Sequence, residues 1–411
     1  MPLRVPVLLL LAQLLLVTPA VPPPPEATFL EAWTIARDNF YEAARVGADW
    51  EHTRDELLPA ARDSTSPAET SRVINAALDR LHASHTHHYH AAQREYYELL
   101  DIFHADGVPA DLSPHIPAGP VSYVGIGVIA REIDARTFAA DVYPSGPADR
   151  AGLLVGDELL GVEDGPWSEI DAFRQREGVP TRLVVRRSAD ESPRTLSVVP
   201  ERIHPRQLFL AAMDASARVI EHNAERCAYV RVRSYAHPDY QDKLVELART
   251  RFNDCDALLL DLRGPWGGAN PEYLDLFNPL IPTLASKPRD AAWEERPFTW
   301  KKPAALLIDS DVRSGKEIIA RAFRTHHLGP LVGERTGGAV LAGRPFILSD
   351  GSVLYLAVAD VRIDGERLEG TGVEPTVPAA RPIPYTAGRD PVIDAGVDAV
   401  LGTLRHHPAT P

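Results

Sequence analysis

Apolar residues recur at three- and four-residue spacing in two early stretches, "ATFLEAWTIARDNFY" and "PAETSRVINAALDRLHAS", so the chain from 26 to 98 is predicted to be helical. The turn-forming "IPAGPVSYVGIGV" then marks a boundary. From about 119 to 203 the pattern changes to short strands joined by turns: "VGIGVIARE", "TFAADVYP", "DELLGVEDG", "TRLVVRRS" and "RTLSVVPE". From 204 onward strands and helices alternate. "CAYVRVRSY" precedes the helical "HPDYQDKLVELARTRF", and "ALLLDLRG" and "AALLIDS" precede the helix "SGKEIIARAFRTHH" and the strand "LVGERTG". Such alternation implies βαβ units around a parallel sheet. "FILSDGSVLYLAVADVRIDGERLEG" reads as hairpins, and 386–411 as a C-terminal helix and tail. The expectation is an α/β multidomain chain: a linker and helical region over 21–118, a β-rich unit over 119–203, and an α/β core over 204–385.

The 411 residues suffice for two or three domains, and the net charge of −14 argues against nucleic-acid binding, which needs a basic footprint. At the N-terminus, Arg4 precedes the apolar run from Val7 to Val17, and "TPA" supplies small residues before a cut after Ala20. This is the pattern of a secretory signal over 1–20, too short for a membrane span. Export is expected, periplasmic or secreted, with the proline-rich "VPPPPEA" as an extended linker and no stable span after cleavage. Cys227 and Cys255, the two cysteines, each lie just before a strand-like run. In an oxidising compartment they could bridge if those strands are neighbours; otherwise they are two small buried residues.

Three places could carry chemistry. "LLIDSDVRSGKEIIARAF" ends an apolar strand and opens a helix near Ser314, where backbone N–H groups and the helix dipole favour a developing oxyanion. A plain N-cap serine would look the same. "LLLDLRGPWGGAN" ends a buried strand in a glycine-rich turn, and Gly267 and Gly268 free the backbone to approach a substrate. "HASHTHHYH", residues 82–90, holds five histidines. Zinc would want three or four ligands at helical or turn spacing, and no "HExxH" is present, so most of these histidines read as a solvated turn and no metal is expected.

Two resemblances sharpen this picture. "GIGV", Gly125 to Val128, followed by "SGPADRAGLLVGDELLGV", resembles a PDZ domain over 119–203. That likeness makes Gly125, Ile126 and Gly127 a peptide-binding turn whose N–H groups take a carboxylate, with the peptide adding as a strand to an open edge; a plain small β-domain is the alternative. "SHT", the PDZ-like unit, "LLLDLRGPWGGAN", "SDVRSGKEIIARAF", "LVGERTGGAV" and "LEGTGVEPTV" occur in that order, and together resemble the tail-specific, or C-terminal processing, serine peptidases on their tricorn-core side. The likeness implies a helical N-terminal part, a PDZ domain and an α/β catalytic core. It also implies endopeptidase action on protein or peptide substrates without a cofactor. Ser314 then matches the nucleophile, His85 the general base, Ser84 and Glu369 its orienting partners, and Gly268 with the N–H of Gly315 the oxyanion hole. The related Ser/Lys branch places its lysine where this chain has Ala339, and Lys316 is expected to face away from Ser314. "GPWGG" places Pro265 and Trp266 where small polar residues are common in the family. A non-catalytic carrier on the same fold, or a PDZ scaffold, is the alternative; an activated serine would separate them by reacting with a fluorophosphonate.

Overall fold

The computed structural model describes residues 22–103, 120–278, 280–290 and 293–404. The expected signal segment, the 116–119 part of the expected boundary and the last seven residues lie outside them.

Three helices open the chain, α1 (Pro25–Asn39), α2 (Ala48–Arg62) and α3 (Pro67–Leu78). Trp33 and Trp50 stack at 6.3 Å, and each indole N–H donates to the other residue's carbonyl, at 2.9 and 3.2 Å, which satisfies two polar groups inside an apolar contact. Ser66 caps α3 by accepting from the Glu69 N–H at 3.2 Å, while Glu69 reaches back to the Thr65 N–H at 2.7 Å. The cap fixes where α3 begins, and the helix runs to Leu78, shortly before the histidine-rich segment. That segment forms a short strand, β1 (His87–Tyr89), followed by α4 (Arg94–Phe103).

β2 (Tyr123–Gly125) leads into the β-rich unit of β3 (Val128–Ile133), β4 (Arg136–Val142), the short α5 (Pro147–Arg150), β5 (Glu158–Val162), β6 (Thr181–Arg186) and β7 (Arg194–Val198). β3 to β7 pair in sequence order as an antiparallel sheet around their own apolar cluster, which leaves β3 at an edge. β8 (Glu201–Ile203) returns to pair with β2.

The core starts with α6 (Pro205–Ser216), β9 (Arg218–His222), β10 (Glu225–Arg231), α7 (Pro238–Arg249) and β11 (Ala257–Asp261). A small hairpin, β12 (Leu284–Ser286) and β13 (Glu294–Arg296), precedes β14 (Ala304–Ile308), α8 (Gly315–Thr325) and β15 (Leu331–Gly333). β16 (Ala342–Ile347), β17 (Val353–Ala359), β18 (Val377–Pro378) and α9 (Pro391–Leu404) complete the chain. The main sheet has the order β18-β15-β14-β11-β10-β9, parallel except for β9. β11 and β14, and β10 over Cys227–Val230, read as apolar runs because both faces are covered. One face packs against residues of α7 and α8, the other against α9. A separate three-stranded sheet, β1-β17-β16, joins the N-terminal helices to the core, pairing His87 with Tyr355 and His88 with Leu354.

Two expectations change here. Cys227 and Cys255 are free and buried, not bridged. β10 and β11 are neighbours, but Cys227 registers with Ala257 and points into the α9 face, whereas Cys255 belongs to the opposite face. Nor is the histidine segment a uniformly wet turn. His88 is 1 % exposed and sits between the hydroxyls of Ser71 and Ser352, at 2.9 and 2.8 Å. The alternation of β1 turns it inward, against the N-terminal helices.

Candidate active site

β11 and β14 are adjacent parallel strands, so the segments that follow them emerge side by side at their C-terminal ends. After β11 comes the Gly264–Gly268 turn; after β14 comes Ser314 and then α8. The two approach so closely that a Cβ on Gly267 would lie 2.6 Å from Ser314 Cβ, and one on Gly315 would lie 2.2 Å from Ala269 N. Glycine is required at both positions by contact alone. Ser314 itself has φ 58° and ψ −134°, a conformation costly for a side-chain-bearing residue. Its N–H donates to Ala339 O at 2.7 Å, and its carbonyl accepts from the Glu317 N–H at 2.9 Å. Its hydroxyl makes no capping bond to α8, so the reading of Ser314 as an ordinary N-cap does not hold. Among the described residues the N–H groups of Gly268 and Gly315 donate to no acceptor.

The opposite wall comes from the loop between α3 and β1. His85 has φ 54° and its ring lies 5.5 Å from that of Tyr355. Ser84 Oγ lies 2.9 Å from His85 Nδ1 and 2.9 Å from Glu369 Oε2. Glu369 also accepts from the Ser84 N–H at 3.0 Å and the Val340 N–H at 2.8 Å. A carboxylate only accepts, so the single Ser84 hydroxyl proton goes to Glu369, and Ser84 must accept from His85 Nδ1–H. Nε2 is then the unprotonated ring nitrogen. Burial lowers the His85 pKa to about 4, with Arg313 adding to the fall and Glu369 opposing it. His85 and Ser314 line one cleft of about 450 Å³ with Trp266, Gly267, Arg313 and Tyr355. No hydrogen bond joins His85 to Ser314.

Sequence reasoning did not find Glu317, whose carboxylate accepts from Gly338 N–H at 2.8 Å and Ala339 N–H at 2.7 Å. It fixes the very loop that holds the Ser314 N–H. Its only signal was an acid in the first turn of a helix, which many helices share. Arg313 and Tyr355 were also missed as cleft walls, whereas Pro265 and Trp266, which the sequence singled out in the glycine-rich turn, do line the cleft. Ala339, where the Ser/Lys branch has its lysine, contributes only backbone. Lys316 is fully buried and donates to Arg233 O at 2.7 Å, away from Ser314, with burial the main cause of a pKa lowered to about 7. Gly125, Ile126 and Gly127 are all buried: Gly125 pairs within the β2–β8 ladder, and Gly127 lies beneath Tyr143. Among the described residues no group of three or more His, Cys, Asp or Glu could hold a metal ion.

A strained serine at the start of a helix, sharing a cleft with an imidazole held by Ser84, is chemically suited to acyl transfer. The family profile described as Peptidase family S41 matches residues 226–379, and that of the Tricorn protease C1 domain matches residues 25–79. Over these residues the chain is thus similar to the tricorn and C-terminal processing peptidases. It is 27% identical to Putative tricorn protease homolog 2 of Streptomyces coelicolor over 416 aligned positions, covering 93% of this chain and 32% of that protein. It is 23% identical to Carboxyl-terminal-processing peptidase 2 of Arabidopsis thaliana, a chloroplastic protein, covering 59% of this chain and 49% of that one. The crystal structure of the tricorn protease superposes with a TM-score of 0.52 at 18% identity, over 92% of this chain and 37% of that chain. The chain thus spans between a third and a half of the length of these curated relatives.

Proposed function

We propose that this protein is an exported serine endopeptidase of the Ser/His/Glu type acting on protein or peptide substrates. The hydrogen-bonded line Glu369–Ser84–His85, ending in a cleft shared with Ser314, carries the reading. In this mechanism His85 Nε2 takes the Ser314 hydroxyl proton as Oγ attacks the scissile carbonyl. The N–H groups of Gly268 and Gly315 hold the tetrahedral oxyanion, helped by the positive end of α8. The His85 imidazolium returns its proton to the leaving amine, and the C–N bond breaks to give an acyl-Ser314. Water, deprotonated by the same imidazole, then hydrolyses the ester. Glu369 stabilises the imidazolium through Ser84.

Residues 119–203 serve in this reading as a PDZ-like unit that recognises C-terminal segments, supported by the free edge of β3 beside the core. The unit boundaries and the signal over 1–20 are part of the same proposal. No described helix is long and apolar enough to cross a membrane. The test is reaction with a fluorophosphonate, which labels only an activated serine. Labelling of the wild type and its loss in Ser314→Ala is expected. An unlabelled wild type that still binds peptides would favour the non-catalytic carrier or scaffold.

A further inference from the structure

The Gly264–Gly268 turn carries the Gly268 N–H that the proposed oxyanion site needs, and its backbone is held only near its two ends. The Gly264 N–H donates to Asp309 Oδ1 at 3.2 Å, and Gly267 O accepts from the Tyr235 N–H at 2.9 Å. Between them, neither Pro265 nor Trp266 makes a backbone hydrogen bond among the described residues. Gly264 and Gly268 have φ of 106° and 85°, so the chain on either side has the freedom that glycine brings. The middle of the turn has one polar anchor, the Trp266 indole N–H, which donates to Glu98 Oε2 at 2.6 Å. The Trp266 ring packs into the apolar core and also lines the Ser314 cleft.

Glu98 is fully buried on α4 and is held from three directions. Arg94, one turn earlier on the same helix, donates to Oε2 beside the indole. Tyr143, which follows β4 in the β-rich unit, donates its hydroxyl to Oε1 at 3.0 Å. Arg94 is itself divided among Glu98, Glu95 at 2.7 Å and Glu169 of the β-rich unit at 3.1 Å. One guanidinium thus serves three carboxylates, and Glu98 relies on the Trp266 and Tyr143 donors for the rest of its compensation. A buried ion pair is often no more stabilising than well-packed apolar residues of similar volume, so stability alone does not account for an acid here. Direction does. A charged acceptor fixed on three sides sets where the Trp266 N–H points. The next two residues are Gly267, packed on Ser314, and Gly268.

We propose that Glu98 is a positioning residue of the peptidase: through the Trp266 indole it sets the Gly267–Gly268 turn and so aims the Gly268 N–H at the oxyanion. The inference rests on the peptidase reading above. Glu98 does not line the cleft, so it acts through Trp266 and not on the substrate. The oxyanion exists only along the reaction path, so loss of the anchor lowers kcat and leaves KM nearly unchanged.

The experiment measures kcat and KM on one internally quenched peptide for the wild type, Glu98→Leu, Glu98→Gln, Trp266→Phe and the Glu98→Leu/Trp266→Phe pair, with circular dichroism on each. Trp266→Phe keeps a ring on the cleft wall and deletes the N–H. Glu98→Leu and Trp266→Phe should each lower kcat by roughly 10- to 10²-fold, the cost of a misplaced oxyanion donor. Glu98→Gln keeps an oxygen that can face the indole and should recover most of the loss. The pair should be no slower than the slower single variant, because both changes remove one link. Affinity for a peptide aldehyde should fall in step with kcat/KM, since Ser314 Oγ adds to the aldehyde carbon, its proton passes to His85, and an oxyanion is left. Should Glu98→Leu not fold, Trp266→Phe still reads the link, because it leaves Glu98 with Arg94 and Tyr143. Wild-type kcat in either folded single variant overturns the proposal. So do losses that multiply in the pair, and so does a raised KM at unchanged kcat, which would make Trp266 a binding wall only. If the wild type hydrolyses peptide while the variants match it, the positioning role falls alone. If the wild type neither hydrolyses peptide nor binds the aldehyde, the peptidase reading falls and takes the positioning role with it.

Discussion

Glu369 meets His85 only through Ser84: the Ser84 hydroxyl lies 2.9 Å from Glu369 Oε2 and 2.9 Å from His85 Nδ1, and no direct bond links the acid to the ring. Removing the hydroxyl breaks the relay while leaving the acid in place, bonded to backbone N–H groups of Ser84 and Val340. Ser84→Ala is therefore expected to lower kcat/KM on the order of 10²-fold, approaching the cost of misorienting a triad imidazole. Glu369→Gln should cost at least as much, because it also weakens the backbone anchors. Ser314→Ala and His85→Ala should each cost nearly as much as both together. Steady-state kinetics on one peptide substrate, with circular dichroism to confirm folding, checks the set. Ser84→Ala at wild-type activity would remove the relay from the mechanism.

The lowered pKa of His85 sets the acid limb of the rate profile. The base works only as neutral imidazole, and burial with Arg313 keeps it neutral down to about pH 4, well below the ordinary value of about 6.5. Plotted against pH, kcat/KM should hold through the range where an exposed histidine would protonate, and fall near pH 4. Arg313→Gln removes the neighbouring cation, so the acid limb should move to higher pH. A limb near 6.5 in the wild type, or one unmoved by Arg313→Gln, contradicts this electrostatic account.

The order of elements could be read along the chain, because α3, β11, β14 and α8 carry strong periodicity or long apolar runs. Ser314 and the Gly267–Gly268 turn were visible as local features, and the resemblance supplied His85, Ser84 and Glu369. What stayed hidden depends on register and on contacts over long separations. The inward turn of His88 follows from the pairing of β1 with β17, 264 residues from Ser352. The opposed cysteines follow from which side of the β10–β11 pair each occupies. Glu317 reads as one more acid near a helix start until the Gly338–Ala339 loop is seen on it. Burial of the Gly125–Gly127 turn likewise depends on Tyr143 folding over it.

Each histidine of the 82–90 segment has a separate situation, which argues against a shared ligand set. His82 is exposed, His85 holds Ser84, His87 Nε2 accepts from Asn75, His88 lies between two serines, and His90 Nδ1 accepts from the Ala92 N–H. Extended treatment with a chelator should leave hydrolysis unchanged. Loss of activity in chelator, restored by zinc, would revive the segment as a metal site.

Lys316 offers the last test, because it separates the two mechanistic branches. Burial and Arg231 lower its pKa from 10.5 to about 7, so the folded protein disfavours its charged form. Between pH 7 and 10.5 the unfolded chain binds this proton and the folded chain does not, so this group makes stability rise as pH rises through that window. Below pH 7 both states are protonated and the penalty is constant, roughly 3–5 kcal/mol. Lys316→Met removes the titrating group and fills a similar volume, at the expense of the donors to Arg233 O and Gly264 O. Denaturant midpoints across the pH range should show the variant without the share of the rise that Lys316 supplies. Peptide hydrolysis should persist, since Lys316 Nζ points to those carbonyls rather than to Ser314. Abolition of hydrolysis in a folded Lys316→Met protein, with His85→Ala still active, would assign the chain to the Ser/Lys branch instead.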